Sequence, residues 1–262
     1  MWLAVPTLIR GITKHPGLAK SKMHKVQHIG CGACPIPVAI MNEFENIVGV
    51  PIIEGYGASE TSMAVASNPM RKRKVGSVGI PYPDVDFKVV DITTGEQELK
   101  IGEVGELCFK GPQIAKGYWN KAEESAQAFR DGWWYSGDVG YMDEEGFIFV
   151  LDRKKDMIIC SGFNVYSTEV EHVLTEHPKI VDAAVVGIPD EKRGESVKAF
   201  LVVKRGEIIT EDEVKAYCRN NLAAYKIPTY VEFLEVLPRT PMHKIDRKAL
   251  RKLERSRLSS LR

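Results

Sequence analysis

One segment of the chain combines several groups that suit nucleotide chemistry. The stretch EGYGASETS, from Glu54 to Ser62, follows a predicted buried strand. Gly55 and Gly57 allow a tight backbone turn, and Tyr56 supplies an aromatic ring. Ser59 and Thr61 supply hydroxyl groups, and Glu60 supplies a carboxylate. The ring could lie against a flat base, and a hydroxyl with a carboxylate after a glycine turn suits a phosphate oxygen and its Mg²⁺. The simpler interpretation is a turn that leads into a helix.

A second candidate is the carboxylate of Asp138, which stands in YSGDVG between two glycines. A carboxylate fixed in this way can accept two hydrogen bonds from a ribose diol. Arg153 follows in DRKKD and could reinforce that contact. The alternatives are a plain glycine turn for Asp138 and an interdomain salt bridge for Arg153.

The third candidate is a lysine near the C-terminus. Lys244 follows a loop that contains Pro238 and Pro241, and it precedes a stretch with the spacing of an amphipathic helix. Prolines reduce the conformational freedom of a loop, so they restrict how this side chain is presented. A lysine that is merely solvated at the surface needs no such constrained loop. The pattern therefore indicates a functional cation.

Composition and charge exclude several classes of protein. With 262 residues, 44% hydrophobic and 27% charged, the chain is typical of globular proteins. A net charge of +1 predicts no nucleic-acid partner. The basic run from Arg71 to Lys74 is either a solvated face or a contact with the phosphates of a small ligand or with an acidic surface. Five scattered cysteines suggest a reducing compartment, and the pair Cys31 and Cys34 lacks the second pair that a metal site needs. No apolar run is long enough to predict a membrane helix.

The pattern of apolar residues and turn residues changes twice along the chain. Strand–loop–helix units precede residue 75, and short alternating runs between Gly and Pro turns predict antiparallel β-structure over about 75–150. The rest predicts an α+β domain with two capped helices, one that begins at Thr168 with Glu171 three residues on and one that begins at Thr210. The predicted domains are therefore 1–152 and 153–262.

In this order and spacing, the motifs resemble those of the adenylate-forming superfamily, which includes acyl-CoA synthetases, luciferases and carrier-protein adenylation domains. GCGACPIP resembles the family's adenine loop, GYGASE its Tyr-Gly-x-Thr-Glu motif, YSGD and DRKKD its ribose-binding pair, and PRTPMHKI its lysine loop. The likeness covers essentially the whole chain. The stretches KVGSVGIPYPDVDFKVVD, GELCFKGPQIAKGYWN and YKIP match fatty-acyl and related acyl-CoA synthetases best.

The resemblance implies a role for each matching residue. Nucleotide binding is implied for Gly32, Ala33, Cys34, Pro35, Glu54, Gly55, Tyr56, Gly57, Ser59, Asp138 and Arg153. The resemblance also implies that Glu60 is the Mg²⁺ ligand and that Lys155 is the hinge of a mobile small domain. It implies that Gly162 contacts the pantetheine arm of CoA and that Lys244 is the catalytic cation. His243 departs from the pattern because it stands where the family usually has glycine.

The implied fold is α/β plus α+β. The C-terminal part of a large AMP-binding domain, with strand–loop–helix units and a small distorted β-barrel, precedes a compact α+β domain. The implied reaction is the ATP-dependent activation of a fatty or related carboxylic acid to an acyl-adenylate, followed by transfer to CoA with release of AMP and pyrophosphate. Lys244 would bridge the attacking carboxylate and the α-phosphate.

One family element is not found in this chain, namely the Ser/Thr/Gly-rich phosphate loop with its lysine. DITTGEQELK shares letters with that loop, but it lies in the β-rich region and predicts a hairpin turn. We therefore expect the chain to be the C-terminal part of a synthetase and to be inactive alone. Two alternatives stay open, an enzyme that loads a carrier protein and a non-catalytic adenylate-binding or dimerisation module.

The resemblance also bears on partners and location. It implies small-molecule substrates, namely a carboxylic acid, ATP and CoA, with no nucleic acid and no integral membrane segment. A homodimer is left open. The expected location is cytoplasmic, and a peripheral association with a membrane is left open.

Overall fold

The computed structural model describes residues 1–241 and 244–260. The chain divides into two compact units, Met1–Val150 and Leu151–Arg262. The division lies two residues before the predicted boundary. Each unit has its own sheets and core.

The first unit combines a mixed parallel and antiparallel sheet, two covering helices and an antiparallel sheet. Its elements are β1 (Trp2–Ala4), α1 (Pro6–Thr13), β2 (Ile29–Cys31), α2 (Val38–Val48), β3 (Ile52–Tyr56), β4 (Ala66–Ser67), β5 (Ile80–Pro81), β6 (Asp86–Val90), β7 (Gly105–Lys110), α3 (Ala122–Ala128), β8 (Phe129–Arg130), β9 (Trp133–Met142) and β10 (Ile148–Arg153). The last strand runs across the boundary. Single turns of 3₁₀ helix lie at Leu18–Lys20, Met23–Lys25 and Ser59–Thr61.

The first sheet has the order β1-β2-β3-β4-β5, in which β1, β2 and β3 are parallel. Apolar side chains of α1 and α2, such as Ile9 and Phe44, are fully buried in one cluster with Ile52 of β3. The predicted end of α2 at Gly49 is confirmed, because this residue has the left-handed φ of +74° that glycine tolerates. The strand–loop–helix units therefore bring the ends of β2 and β3 side by side.

The second sheet, with the order β10-β9-β7-β6 and β8 paired to β9, confirms the predicted antiparallel region. Phe109, Trp134 and Ile148 form its buried core. The predicted hairpin turn at DITTGEQELK is also confirmed. The carboxylate of Asp91 accepts hydrogen bonds from the backbone N–H groups of Thr93 and Thr94, as in an Asx-turn. Val90 and Glu98 form an antiparallel bridge across this turn, so the segment is a hairpin.

The second unit is an α+β layer structure. Its elements are β11 (Ile158–Cys160), β12 (Phe163–Val165), α4 (Ser167–Glu176), β13 (Ile180–Asp190), β14 (Gly194–Val203), α5 (Glu211–Asn221), β15 (Tyr230–Phe233) and α6 (Arg247–Ser260), with a 3₁₀ turn at Ala224–Lys226. Strand order is β12-β11-β14-β13, and β15 pairs with β14.

The long hairpin β13–β14 buries both of its faces, which explains its nearly continuous apolar sequence. Val185 and Leu201 lie in a cluster with residues of α4 and α5. Val186 and Phe200, on the opposite face, pack with Leu250 of α6. The helix after Lys244 is therefore anchored in the core of the second unit.

Of the two predicted helix caps, one is confirmed and one is wrong. Thr210 and Glu213 form the predicted capping box of α5. In α4 the N-cap position is Tyr166, and the buried carboxylate of Asp152 accepts hydrogen bonds from the backbone N–H and the hydroxyl of Ser167. The tertiary contact with Asp152 supplies the cap, so the local pattern at Thr168 is not used for it.

Candidate active-site segments

The predicted adenine loop and the GYGASE segment start from neighbouring strands of the first unit. Cys31 at the end of β2 is paired in parallel register with Glu54 of β3. A Cβ atom placed on Gly32 would lie 3.2 Å from the backbone oxygen of Gly55. Ala33 has a left-handed φ of +73°, a conformation that costs about 1 kcal/mol or more in a residue other than glycine. The two loops therefore lie against each other, with local strain in the first.

The turn after β3 requires glycine at position 57. A Cβ atom there would lie 1.8 Å from the backbone oxygen of Met63, which is far inside van der Waals contact. The hydroxyl of Thr61 accepts a hydrogen bond from the Ala58 N–H at 2.9 Å, and Thr61 is 1% exposed. Thr61 thus holds the turn together, whereas Ser59 is exposed at its start.

A hydrogen bond joins the GYGASE and YSGD motifs, which lie far apart in sequence. The hydroxyl of Tyr56 donates to Oδ2 of Asp138 at 2.5 Å. The Tyr56 ring is also stacked on Phe109, with ring centroids 5.5 Å apart. The aromatic ring predicted to face a base and the carboxylate predicted to bind a ribose are therefore neighbours in one unit.

Further contacts fix the backbone around Asp138. The hydroxyl of Ser136 donates to the Leu107 carbonyl at 2.7 Å and accepts from the Asp138 N–H at 3.0 Å. The N–H of Gly137 donates to the buried carboxylate of Glu106 at 3.1 Å. These hydrogen bonds therefore hold the backbone of β9 at Asp138.

Glu54 is partly buried beside the adenine loop. Burial raises the pKa of its carboxyl group to about 7, although the N–H groups of Gly76 and Ile36 and the charge of Arg73 oppose the rise. Ile36 lies within the predicted adenine loop. Glu54 therefore lies next to that loop with a carboxyl group that titrates near neutral pH, and its contact with a nucleotide stays a prediction.

Glu60 has a partner that the sequence did not single out. The hydroxyl of Tyr118 donates to Oε1 of Glu60 at 2.7 Å, and burial together with Glu60 raises the pKa of Tyr118 to about 12. Among the described residues, no three His, Cys, Asp or Glu side chains are grouped so that they could hold a metal ion. Mg²⁺ takes one or two carboxylates together with phosphate oxygens and water, so Glu60 fits an ion that arrives with a nucleotide.

The Cys31 thiol and the basic run at residues 71–74 both have structural explanations in the first unit. Burial, Glu54 and Cys34 raise the pKa of the Cys31 thiol to about 12, which disfavours thiolate chemistry there. In the basic run, Arg73 pairs with Glu45, and Lys74 pairs with Asp143 and Glu145. Both lysine and arginine are thus used in ion pairs on this unit.

In the second unit, the predicted hinge and CoA residues lie on either side of β11. Arg153 and Lys155 are exposed, and Arg153 ends β10. Gly162 lies in the turn between β11 and β12 with a φ of +82°, and no atom of the described residues lies within 4 Å of a Cβ atom placed there. Within this unit, glycine at 162 is required by the turn itself, and its contact with a pantetheine arm stays a prediction.

Lys244 is exposed on a closed loop before α6. Its carbonyl oxygen accepts from the Thr240 N–H at 2.8 Å, and its N–H donates to the Thr240 hydroxyl at 3.3 Å. The N–H of Asp246 donates to the Pro238 carbonyl at 2.8 Å. These hydrogen bonds hold the backbone of Lys244 next to Thr240, as expected for a loop with restricted freedom. His243 lies outside the described residues.

Comparison with known proteins decides what these segments belong to. The sequence model named AMP-binding enzyme matches residues 1–119, and that of the AMP-binding enzyme C-terminal domain matches residues 169–244. The chain belongs to the family of AMP-binding enzymes. The family resemblance stated from the motifs is therefore confirmed.

Relatives in this family include ligases of known name. The chain is 44% identical over 246 residues to a long-chain-fatty-acid–CoA ligase of Bacillus subtilis. The matched region covers 94% of this chain and 44% of that ligase. It is 42% identical over 221 residues to the ligase of the same name from Yersinia pestis, covering 84% and 39%. The chain thus spans about two fifths of the length of these curated relatives.

Solved structures give the same family and fold. ATP-bound MatB from Rhodopseudomonas palustris has a TM-score of 0.89 at 35% identity, with 96% of this chain and 50% of that one covered. The o-succinylbenzoate CoA synthetase MenE from Bacillus subtilis, in complex with its acyl-adenylate, has a TM-score of 0.82 at 34% identity, covering 95% and 50%. The predicted α/β plus α+β fold class is confirmed.

The structure brings some predicted residues together and describes others separately. Gly32 follows the end of β2 and Tyr56 ends β3, while Asp138 lies within β9 and accepts the hydrogen bond from Tyr56. Glu60 lies in the turn after β3. Arg153, Lys155, Gly162 and Lys244 belong to the second unit. Sequence reasoning missed Tyr118 and Ser136 as supporting residues. Tyr118 stands in GYWN and Ser136 in YSGD, and both stretches matched the family. The hydroxyl group of each residue was the signal that could have identified it as a hydrogen-bonding partner.

Proposed function

We propose that this chain carries the nucleotide-binding segments and the catalytic lysine of an acyl-CoA synthetase. The reaction joins a fatty or related carboxylic acid to AMP from ATP and then transfers the acyl group to CoA, with release of AMP and pyrophosphate. The observation that carries the proposal is the Tyr56–Asp138 hydrogen bond of 2.5 Å, which unites the two nucleotide motifs. The names of the relatives support the choice of a fatty acid and CoA.

Each residue has a distinct part in this proposal. Tyr56 and Asp138 hold the nucleoside, through the ring and through the carboxylate with Arg153. Glu60 holds Mg²⁺, which supplies charge compensation at the phosphates when bound. Lys244 stabilises the negative charge shared by the attacking carboxylate and the α-phosphate, and it does so more in the transition state than in the separated reactants.

The second step uses the second unit in another way. Rotation about Lys155 would remove Lys244 after the first step, and Gly162 would then line the path of the CoA thiol. No helix in the described part of the chain is long and apolar enough to cross a membrane. The cytoplasmic location stays a prediction, and a homodimer stays open.

We also propose that the chain alone is inactive, because it has no recognisable phosphate loop to orient the leaving pyrophosphate. In addition, β1 is an outer strand of its sheet, and Leu3 on it is 60% exposed. The complementary segments can be supplied by joining the chain to the part of the Bacillus subtilis ligase that the match leaves uncovered. We call this joined protein the hybrid.

The test compares the hybrid with the chain alone. We expect fatty-acid-dependent exchange of pyrophosphate into ATP, and CoA-dependent release of AMP, from the hybrid only. The intact Bacillus subtilis ligase is the positive control. Exchange by the chain alone at the rate of the hybrid would contradict the proposal, as would a folded hybrid that exchanges with no carboxylic acid.

A further inference from the structure

The loop that carries Lys244 depends on the helix that follows it. Asp246 ends the loop and caps α6, because its carboxylate accepts from the Ala249 N–H at 2.9 Å. At the other end of the loop, Leu237 is 2% exposed in the core of the second unit, and Arg239 pairs with Asp182 of β13. The position of Lys244 is therefore set by where α6 begins.

The start of α6 is held by a bidentate ion pair. Arg247 donates from Nη2 to Oε2 of Glu171 at 2.6 Å and from Nε to Oε1 at 3.2 Å. The side chains are only 18% and 12% exposed. Glu171 also accepts from the Val185 N–H of β13 at 2.8 Å, so the pair connects α6 to α4 and to the central hairpin. Bidentate arginine–carboxylate pairs fix orientation as well as distance.

One turn further along α6, a second arginine reaches the predicted hinge. Arg251 donates from Nη2 to Oδ1 of Asp156 at 2.7 Å and to the carbonyl oxygen of Lys155 at 3.3 Å. Asp156 is buried, and its other oxygen lies 3.8 Å from Nη1 of Arg247. Residues four apart lie on the same face of a helix, so one face of α6 contacts both Glu171 and the hinge segment.

We propose that Glu171 and Arg247 are positioning residues for Lys244, and that Arg251 and Asp156 tie the same helix to the hinge at Lys155. The pair does not touch the reacting atoms. It fixes the helix start three residues after Lys244, and thereby the place from which the ammonium group is presented. The proposal deepens the proposed function and rests on it for the role of Lys244.

The first test is independent of any activity. In this chain, at pH 8, amide hydrogen exchange is measured by NMR at Thr240, Lys244 and Asp246, whose N–H groups close the loop. We expect Glu171→Gln, which keeps the shape but removes the charge, to accelerate exchange at these amides about fivefold or more. Exchange in β14 should stay within twofold. The matched control is Lys252→Gln, which removes an exposed charge from the same helix.

Unchanged exchange at the three loop amides would overturn the proposal. An equal acceleration in β14 would also overturn it, because it would show a general loss of stability. If Glu171→Gln does not fold, Arg247→Lys decides the question by the same measurement. Lysine keeps the charge but cannot form the two-pronged contact, so the loop amides should again exchange faster.

The second test separates positioning from structure in the hybrid. We expect Glu171→Gln to lower kcat for acyl-adenylate formation about tenfold, because small displacements of a catalytic group cost rate. The KM for ATP and the rate of thioester formation from supplied acyl-adenylate should change less than twofold. Arg247→Lys should retain more activity than Arg247→Gln. A rise in KM with kcat unchanged would contradict a positioning role, and an inactive wild-type hybrid would count against the proposed function instead.

Discussion

The two units hold their functional segments by different kinds of contact. In the first unit, the loops around Tyr56 and Asp138 are fixed by close backbone approach and by hydroxyl hydrogen bonds, with Gly57 and Ser136 as examples. In the second unit, the loop of Lys244 is fixed by arginine–carboxylate pairs at Arg239 and Arg247. The first arrangement should tolerate no added atoms, whereas the second should tolerate changes of size better than the loss of a charge.

The largest expected effect is that of Gly57→Ala in the first unit. The added Cβ would overlap the Met63 carbonyl, so the free energy of unfolding of this unit should fall by about 3 kcal/mol or more. All four tryptophans lie in residues 1–150, and denaturation followed by tryptophan fluorescence therefore reports this unit alone.

The control for this substitution is Gly11→Ala. Gly11 lies in α1, and a Cβ atom placed there has no atom within 4 Å among the residues that the structure describes. Alanine should therefore stabilise the unit slightly through its higher helix propensity. A loss below 1 kcal/mol for Gly57→Ala would show that the turn is adaptable and would remove the contrast between the units.

The next effect concerns the pH dependence of the first unit. Burial raises the pKa of Glu54 from 4.5 to about 7, so the folded state keeps a proton that the unfolded state releases. This stabilising contribution is complete below pH 4.5 and is lost as the pH rises through 7, at most about 3 kcal/mol. Glu54→Gln should flatten the curve of unfolding free energy between pH 4.5 and 8.

Glu43→Gln, an exposed position on α2, is the matched control for that curve. The relevant quantity is the difference between each variant and the wild-type chain at each pH. A wild-type curve that rises over this window relative to Glu54→Gln would contradict the assigned burial of the Glu54 carboxyl group.

A smaller effect is expected for nucleotide affinity. Asp138→Asn should weaken AMP binding to this chain about tenfold, equivalent to roughly 1.4 kcal/mol, because it removes the charged acceptor for a ribose diol. Isothermal titration calorimetry measures the change. Asp131→Asn removes a charge from an exposed turn in the same β-region and should leave the affinity unaltered. Equal affinities for the Asp138 and Asp131 variants would argue against the ribose assignment.

The smallest expected change in stability is that of Gly162→Ala in the second unit. In the described part of the chain no atom lies within 4 Å of a Cβ atom placed there, but the φ of +82° should cost about 1 kcal/mol. Thermal unfolding of residues 151–262 in the variant chain, followed by NMR signals of β13 and β14, measures it.

The same substitution sharpens the prediction about CoA. In the hybrid, Gly162→Ala should slow thioester formation more than acyl-adenylate formation if the pantetheine arm passes this turn. Equal slowing of both steps would leave the turn geometry as the sole reason for the glycine.

Sequence periodicity predicted the elements well where the pattern was local. The end of α2 at Gly49 and the capping box at Thr210 follow from neighbours within four residues. The cap of α4 was mispredicted because Asp152, fifteen residues before Ser167, provides it. Local patterns carry no information about such tertiary competition.

The candidate site was predictable for a different reason. Tyr56 and Asp138 lie on strands of two different sheets, and Tyr56 packs on the core of the sheet that holds Asp138. The resemblance of their motifs to one family was the signal that linked them. The Glu171–Arg247 pair joins residues 76 positions apart, and no motif pointed to it. Charged residues on amphipathic helices are ordinarily solvent-facing, so only the packing of α6 against the central hairpin reveals this pair.

The central claim is that Lys244 serves acyl-adenylate formation and not the transfer to CoA. The most direct measurement compares the two half-reactions of Lys244→Ala in the hybrid, with pyrophosphate exchange for the first and thioester formation from supplied acyl-adenylate for the second. Loss of one electrostatic stabiliser should slow the first about 10²- to 10³-fold and leave the second within a few fold. Unchanged pyrophosphate exchange, or equal slowing of both half-reactions, would contradict the account.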